Sequence, residues 1–170
     1  MEEKLPIRKQ NRLKNYDYSQ SGAYFITICT KDRQNLFWKP GHTVTVGEDS
    51  ILPHDKEVLS AYGKTAEEAI LTLPVHYPCI QVLKYVVMPN HIYLVLYIPY
   101  EGGRIISSPT SILVAVGQMK RWVSKKIGIP VWQRSFHDHV IRDRADYDKI
   151  AEYIDKNPVT WQYDCFYNEK

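Results

Sequence analysis

A chain of 170 residues and 19.9 kDa, 44% hydrophobic and 24% charged with 8 Gly and 10 Pro, can bury the core of one ordinary domain, and its composition excludes a disordered, collagen-like or repeat protein. No apolar run reaches the roughly 18–20 residues that span a bilayer, and the N-terminus, MEEKLPIRKQNR, lacks the apolar stretch of a secretory signal, so a cytoplasmic location is expected. The net charge of +3 is unevenly spread, because residues 1–14 hold five Lys/Arg against two Glu and residues 104–144 hold eight Lys/Arg against two Asp.

The remaining stretches, 15–103 and 145–170, each come to −3. The basic excess therefore sits in an N-terminal arm, residues 1–15, and one central stretch that could meet on a phosphate backbone. With 13 Tyr and 4 Trp, rings beside basic residues also suit base stacking on single strands. The cysteines Cys29, Cys79 and Cys165 are odd in number and widely spaced, which fits neither a disulfide framework nor a zinc pattern, and they read as reduced thiols.

In chain order, residues 22–30 (GAYFITICT) alternate and are rich in β-branched and aromatic residues, which predicts a strand. Residues 31–58 read as an irregular excursion with a short strand at 44–46. Leu59, Tyr62, Ala66, Ala69, Ile70 and Leu73 share one face of a helix over 59–73 that Pro74 should end. Residues 81–88 and 91–98 are two strands joined at Pro89-Asn90, an antiparallel hairpin. After a Gly/Ser/Pro linker at 100–109 comes a basic amphipathic helix over 110–127, then strand character at 131–141. A last helix over 144–156 stops at Asn157-Pro158. The order β, α, β, β, α, β, α is that of an α+β ferredoxin-like sandwich, an antiparallel sheet with helices packed on one face. The expected organisation is one domain over 1–170, with its core in 16–164.

Chemistry could sit at three places. His91 and Tyr93 open a strand and project to the same side. A His-apolar-His triplet there would bring two imidazoles to one divalent ion, but Tyr93 supplies a neutral phenol, a poor ligand. Taken alone, His91 reads as a structural strand histidine. Tyr153 and Asn157 lie four apart on the last helix and share a face. A helix tyrosine usually packs, yet a phenol can attack a phosphodiester when a metal polarises the phosphoryl oxygen and a nearby group takes the proton. Asn157 could lend that metal its carbonyl oxygen. The third place is His137 and His139, a strand pair around Asp138, read as a secondary polar site where hydrogen bonding or phosphate contact competes with metal ligation. Arg8, Arg12, Lys120, Arg121, Lys125 and Arg134 are the candidate contacts to a nucleic-acid backbone, with Tyr18 and Trp132 as stacking surfaces. The alternatives for these are a solvated basic face and, for Trp132, a core ring.

Four segments in order, YDYSQSGAYFITICTKDR (16–33), YVVMPNHIYLVL (85–96), VWQRSFHDHVIRD (131–143) and YDKIAEYIDKNP (147–158), resemble REP-associated tyrosine transposases of the single-tyrosine HUH superfamily, in one register from about residue 8 to residue 164. The resemblance implies a ferredoxin-like domain that binds single-stranded DNA at or beside a short hairpin and cuts it through a tyrosine. That tyrosine becomes joined to the 5′ phosphate and leaves a free 3′ hydroxyl. By position, Tyr153 matches the nucleophile, Asn157 the polar metal ligand one turn later and His91 the first histidine of the HUH motif, with Mg²⁺ or Mn²⁺ as the implied ion. Tyr93 stands where the family has its second histidine. Three outcomes stay open: Tyr93 serves as an oxygen donor, a water fills the gap, or DNA binding persists with impaired cleavage. The rival readings are a domesticated hairpin-binding protein that does not cut, and an unrelated ferredoxin-like protein. Both monomer and homodimer are compatible with the sequence.

Overall fold

The computed structural model describes residues 12–42, 58–100 and 111–168. Arg8, the short strand expected at 44–46 and most of the linker expected at 100–109 lie outside them. The elements are β1 (Gly22–Cys29), α1 (Ala61–Leu71), α2 (Leu73–His76), β2 (Gln81–Val87), β3 (His91–Ile98), α3 (Ile112–Ile127), β4 (His137–Ile141) and α4 (Arg144–Lys156), with single 3-10 turns at Lys31–Arg33 and Trp161–Tyr163. The four strands form one antiparallel sheet in the order β2-β3-β1-β4. The α+β ferredoxin-like arrangement expected from the sequence is what the chain adopts.

The two faces of the sheet are separated by the pleat. Tyr24, Ile26 and Ile28 of β1 and Ile92, Leu94 and Leu96 of β3 are all fully buried on one face. That face is covered by α1 and α3, which pack on each other. Their place is marked by the Tyr85 hydroxyl, on the Leu94 side of β2, which donates to Glu67 of α1 at 3.1 Å. His91, Tyr93 and Val95 line the other face and are also buried. There α4 crosses the sheet: Ile154 is fully buried and Lys84 of β2 pairs with Asp155 at 2.7 Å. The sheet thus carries helices on both faces, where one covered face was expected. The reason is legible in β3, whose HIYLVLYI is apolar on both sides and must be covered twice.

Local chemistry sets the ends of the elements. Ser60, Ser111 and Asp143 cap α1, α3 and α4 by accepting backbone N–H groups of Gly63, Leu113 and Asp146. Gly128 ends α3 at φ 86°, a left-handed conformation that glycine adopts without a Cβ penalty. Pro74 does not simply stop α1; it falls in the first turn of the short α2, where its missing N–H costs nothing. Strand character at 131–136 reduces to one isolated bridge, Thr30 with Trp132, before β4 begins at His137. The N-terminal turn of α1 lies against the Phe37 carbonyl, and a Cβ on Gly63 would come within 2.1 Å of that oxygen. Gly63→Ala should therefore lower stability by about 1–3 kcal/mol, read as a reduced melting temperature.

Candidate active site

The residues of the predicted site are brought together on the α4 face of the sheet. His91 and Tyr93 project side by side from the start of β3, their rings 4.4 Å apart and edge to face. From α4, Tyr153 and Asn157 descend on one face, the turn between them closed by the Asn157 N–H donating to the Tyr153 carbonyl at 3.1 Å. The Tyr93 and Tyr153 hydroxyls meet at 2.7 Å.

A third group completes the cluster, and sequence reasoning missed it. Asp164, beyond α4, turns its Oδ2 into the site, where the Tyr153 hydroxyl donates to it at 3.0 Å, the Tyr93 hydroxyl at 3.1 Å and the Asn157 amide at 2.8 Å. Its Oδ1 accepts the Phe166 N–H at 2.7 Å. Two phenolic protons serve three contacts among Tyr93, Tyr153 and Asp164, so the hydroxyls can exchange partners without leaving the carboxylate. Burial by itself would raise the pKa of Asp164. The donated hydrogen bonds, from Phe166, Asn157 and Tyr153 among others, outweigh it and hold the carboxyl below its ordinary value. Tyr153 is pushed up to about 12, first by burial and further by the neighbouring Asp164 charge. Tyr93 is raised further still, again chiefly by burial. Both phenols are therefore protonated at neutral pH, and Tyr93 is not an anionic ligand. Tyr153 remains 42% exposed.

The protonation of His91 follows from its neighbours. Asn90 donates its amide to the carbonyls of Phe166 at 2.8 Å and Arg33 at 3.3 Å, which leaves its Oδ1 as the acceptor facing His91 Nδ1 at 2.9 Å. Nδ1 must then carry the proton and Nε2 a lone pair. Full burial lowers the His91 pKa to about 4 and keeps the ring neutral. Its Nε2 is sealed from solvent with no hydrogen-bond partner, and so is Oδ1 of Asn157, turned away from Asp164 by the amide donation. An imidazole nitrogen and an amide oxygen, both orphaned, beside a carboxylate form a donor set that a hard divalent cation accepts. Among the described residues no three His, Cys, Asp or Glu side chains are grouped as a metal cage. A cation here would rest on His91, Asn157 and Asp164.

The last turn of the chain builds the wall. The rings of Trp161 and Phe166 lie 5.7 and 4.8 Å from His91. Asp32 and Arg33 both adopt left-handed backbone at φ 54°. The Arg33 carbonyl accepts the Asn168 amide at 2.7 Å as well as that of Asn90. Nothing in the tail YDCFYN (163–168) shows periodicity, and its only signal is that a carboxylate follows the tyrosine helix within reach of a folded-back chain.

The expected DNA contacts divide. Arg121, Lys125 and Arg134 are exposed. Tyr18 is not a stacking surface: it is 4% exposed, packed edge to face on Tyr16 and close to Tyr24. Trp132 is a half-buried core ring, set against Phe37 and donating its indole N–H to the Lys120 carbonyl at 3.0 Å. Arg12 is bound to β4 and its approach, donating to the Phe136 carbonyl at 2.8 Å and pairing with Asp138, its guanidinium stacked over the Phe136 ring. The Asp138 side chain, between His137 and His139, is buried in that pairing. His139 donates its Nε2–H to the Asp146 carboxylate of α4 at 2.8 Å and His137 is exposed, so the pair is not drawn together at one site.

Lys120 is buried, its ammonium donating to the carbonyls of Gln133 at 2.8 Å and Ser135 at 2.9 Å. It clasps the segment leading into β4 instead of meeting a phosphate. Burial lowers its pKa to about 8. Between about pH 8 and pH 10 the unfolded chain then holds a proton that the folded chain has released, so stability should rise with pH. Chemical denaturation should find a gain on the order of 1 kcal/mol across that window, absent in Lys120→Met.

A ferredoxin-like sheet thus holds a helix-borne tyrosine hydroxyl between a strand and a carboxylate. No family model matches the chain. An uncharacterised protein of Haemophilus influenzae is 29% identical over 94% of this chain and 93% of its own. A second protein of that organism, named provisionally as a REP-associated tyrosine transposase, is 27% identical over 92% of this chain and 88% of its own. The solved structure of a REP-associated tyrosine transposase bound to a REP hairpin superposes with a TM-score of 0.59 at 19% identity, over 90% of this chain and 75% of that one. The chain resembles the REP-associated tyrosine transposases in sequence and in fold.

Proposed function

We propose that this protein is a transposase-like DNA strand transferase that binds single-stranded DNA bearing a hairpin and cuts it through Tyr153. The observation that carries the reading is the hydroxyl of the half-exposed Tyr153, aimed by Asp164 and Tyr93 on the face that also holds His91 and Asn157. In the cleavage step a bond forms from Tyr153 Oη to the phosphorus and the bond from phosphorus to the 3′ oxygen breaks. The phenolic proton passes to the Asp164 carboxylate and on to the departing 3′ oxygen, which leaves as a hydroxyl. Tyr153 keeps the 5′ phosphate, and reversal onto another 3′ hydroxyl rejoins the strand. A divalent ion such as Mg²⁺ or Mn²⁺, held by His91, Asn157 and Asp164, would supply polarisation of the scissile phosphoryl oxygen. Asp164 would then serve in place of the second histidine that the resemblance puts at Tyr93. Tyr93 orients Tyr153 and shields the carboxylate from water. Arg121, Lys125 and Arg134 contribute salt-dependent affinity for the backbone.

The test is a denaturing gel for a covalent protein–DNA adduct after incubation with hairpin oligonucleotides and Mn²⁺ or Mg²⁺, run beside Tyr93→His and Tyr153→Phe. The expected result is an adduct in the unaltered chain. An adduct that appears only in Tyr93→His would overturn the cleavage reading and leave a hairpin-binding protein disabled at one residue.

A further inference from the structure

Arg33 brings a cation to the edge of the tyrosine cluster that the strand transfer just described does not use. Cys29, the last residue of β1, pairs with His91 across the sheet, and the turn Lys31–Arg33 follows directly. The Arg33 guanidinium lies over the Phe166 ring at 5.1 Å, and that ring is 4.8 Å from His91. Its charge is felt there, because it adds to burial in disfavouring the protonated form of His91.

The backbone holds this side chain at a cost. Asp32 and Arg33 both take φ 54°, a left-handed conformation uncommon outside glycine, and such strain persists only where the surroundings over-determine it. Here they do. The Lys31 N–H donates to the Val131 carbonyl at 2.8 Å and the Arg33 N–H to the Thr30 carbonyl at 3.2 Å, while the Arg33 carbonyl accepts the amides of Asn90 and Asn168. The guanidinium, in contrast, has no anion. Arg33 is exposed and among the described residues it pairs with no carboxylate, not even Asp32 beside it, whereas Arg12 and Arg144 pair with Asp138 and Asp148. A guanidinium already stacked on a ring loses little freedom on binding, and its planar fork of donors matches the two free oxygens of a phosphodiester. Standing one ring away from His91, it suits a phosphate next to the one that Tyr153 attacks.

We propose that Arg33 is a positioning residue for strand transfer, its guanidinium holding one phosphodiester that flanks the scissile bond so that the bond lies before Tyr153. The inference rests on the strand-transfer reading for its substrate. It adds one defined ion pair between the turn after β1 and a single phosphate, indifferent to which bases that phosphate joins. The strained turn then has a use, since it fixes the stem of the side chain before the strand arrives.

The experiment uses the full chain and a 5′-labelled hairpin oligonucleotide with single-stranded flanks, chosen as the strongest binder from a set with varied flanks. An uncharged methylphosphonate replaces each flanking phosphate in turn. Affinity is read by fluorescence anisotropy for the unaltered chain, Arg33→Gln and Arg33→Lys, with thermal melting beside it, and adduct yield for the unaltered chain. One methylphosphonate should weaken binding to the unaltered chain roughly fivefold or more, and Arg33→Gln should weaken the natural oligonucleotide by a similar factor but not the one neutralised at that position. Arg33→Lys, which keeps the charge without the fork, should recover part of the loss. The slope of log affinity against log salt should flatten by about 0.7 in Arg33→Gln, the share of one phosphate on a single strand. A purely structural role for Arg33 would weaken natural and neutralised oligonucleotides alike, and that result, or undiminished affinity in Arg33→Gln, overturns the proposal. The expected pattern without an adduct overturns strand transfer alone and leaves the phosphate contact standing. No binding of any hairpin overturns both.

Discussion

Tyr153→Phe abolishes adduct formation while leaving hairpin affinity and fold in place. The substitution removes one oxygen, the atom that would be joined to phosphorus, and no other exposed phenol stands in the cluster, since Tyr93 is 3% exposed. The ring of Tyr153 and its edge-to-face packing on Tyr93 at 5.1 Å survive. The hydroxyl's contacts with Tyr93 and Asp164 are lost, but each partner keeps another: they hydrogen-bond each other at 3.1 Å, and Asp164 also accepts from Asn157 and Phe166. The stability change should stay within about 1 kcal/mol. Denaturing gels read the adduct, anisotropy the affinity and thermal melting the fold. An adduct of undiminished yield in the variant would remove Tyr153 from the chemistry and with it the proposed function.

Asp164→Ala slows adduct formation by about 10²–10⁴-fold, the usual contribution of a group that takes a proton in the reacting complex. Its carboxylate is the acceptor shared by Tyr93, Tyr153 and Asn157, so its loss also leaves the Tyr153 hydroxyl unaimed. The variant leaves the buried Asn157 amide without this acceptor, at about 1–3 kcal/mol, while the Tyr93 hydroxyl keeps Tyr153 at 2.7 Å. A lowered melting temperature is therefore expected, and the adduct rate is to be compared at a temperature where circular dichroism shows both proteins folded. Hairpin affinity should be little changed, because Arg121, Lys125 and Arg134 lie elsewhere on the chain. An adduct rate equal to that of the unaltered protein would return Asp164 to a structural role.

These two residues differ in how they could be found. Tyr153 and Asn157 are legible from the i, i+4 spacing of one helix, and His91 from its place at the head of an alternating strand. The spacing rules hold within one element, where the chain itself sets the geometry. Lys120, Tyr18 and Trp132 were read as surface because a charge or a polar ring among basic neighbours usually is. The burial of Lys120 and Trp132 depends on the approach to β4 folding over α3, and that of Tyr18 on packing with Tyr24 of β1, contacts between segments that no local pattern encodes. Asp164 was invisible for the same reason: it reaches Tyr153 only because the tail after α4 turns back under the sheet.

By itself the sequence determined the order of strands and helices, the hairpin at Pro89-Asn90, the tyrosine helix and the likeness to a family of DNA-cutting proteins, since each is carried by periodicity or by residues close in the chain. The tertiary structure alone decided that α4 covers the second face of the sheet, that His91 presents an unpartnered Nε2, and that the Asp164 carboxylate joins the Tyr93 hydroxyl. Those features are made by residues 57 to 76 positions apart, such as Asn90 with Arg33 and Phe166, and only packing brings such groups within hydrogen-bond reach.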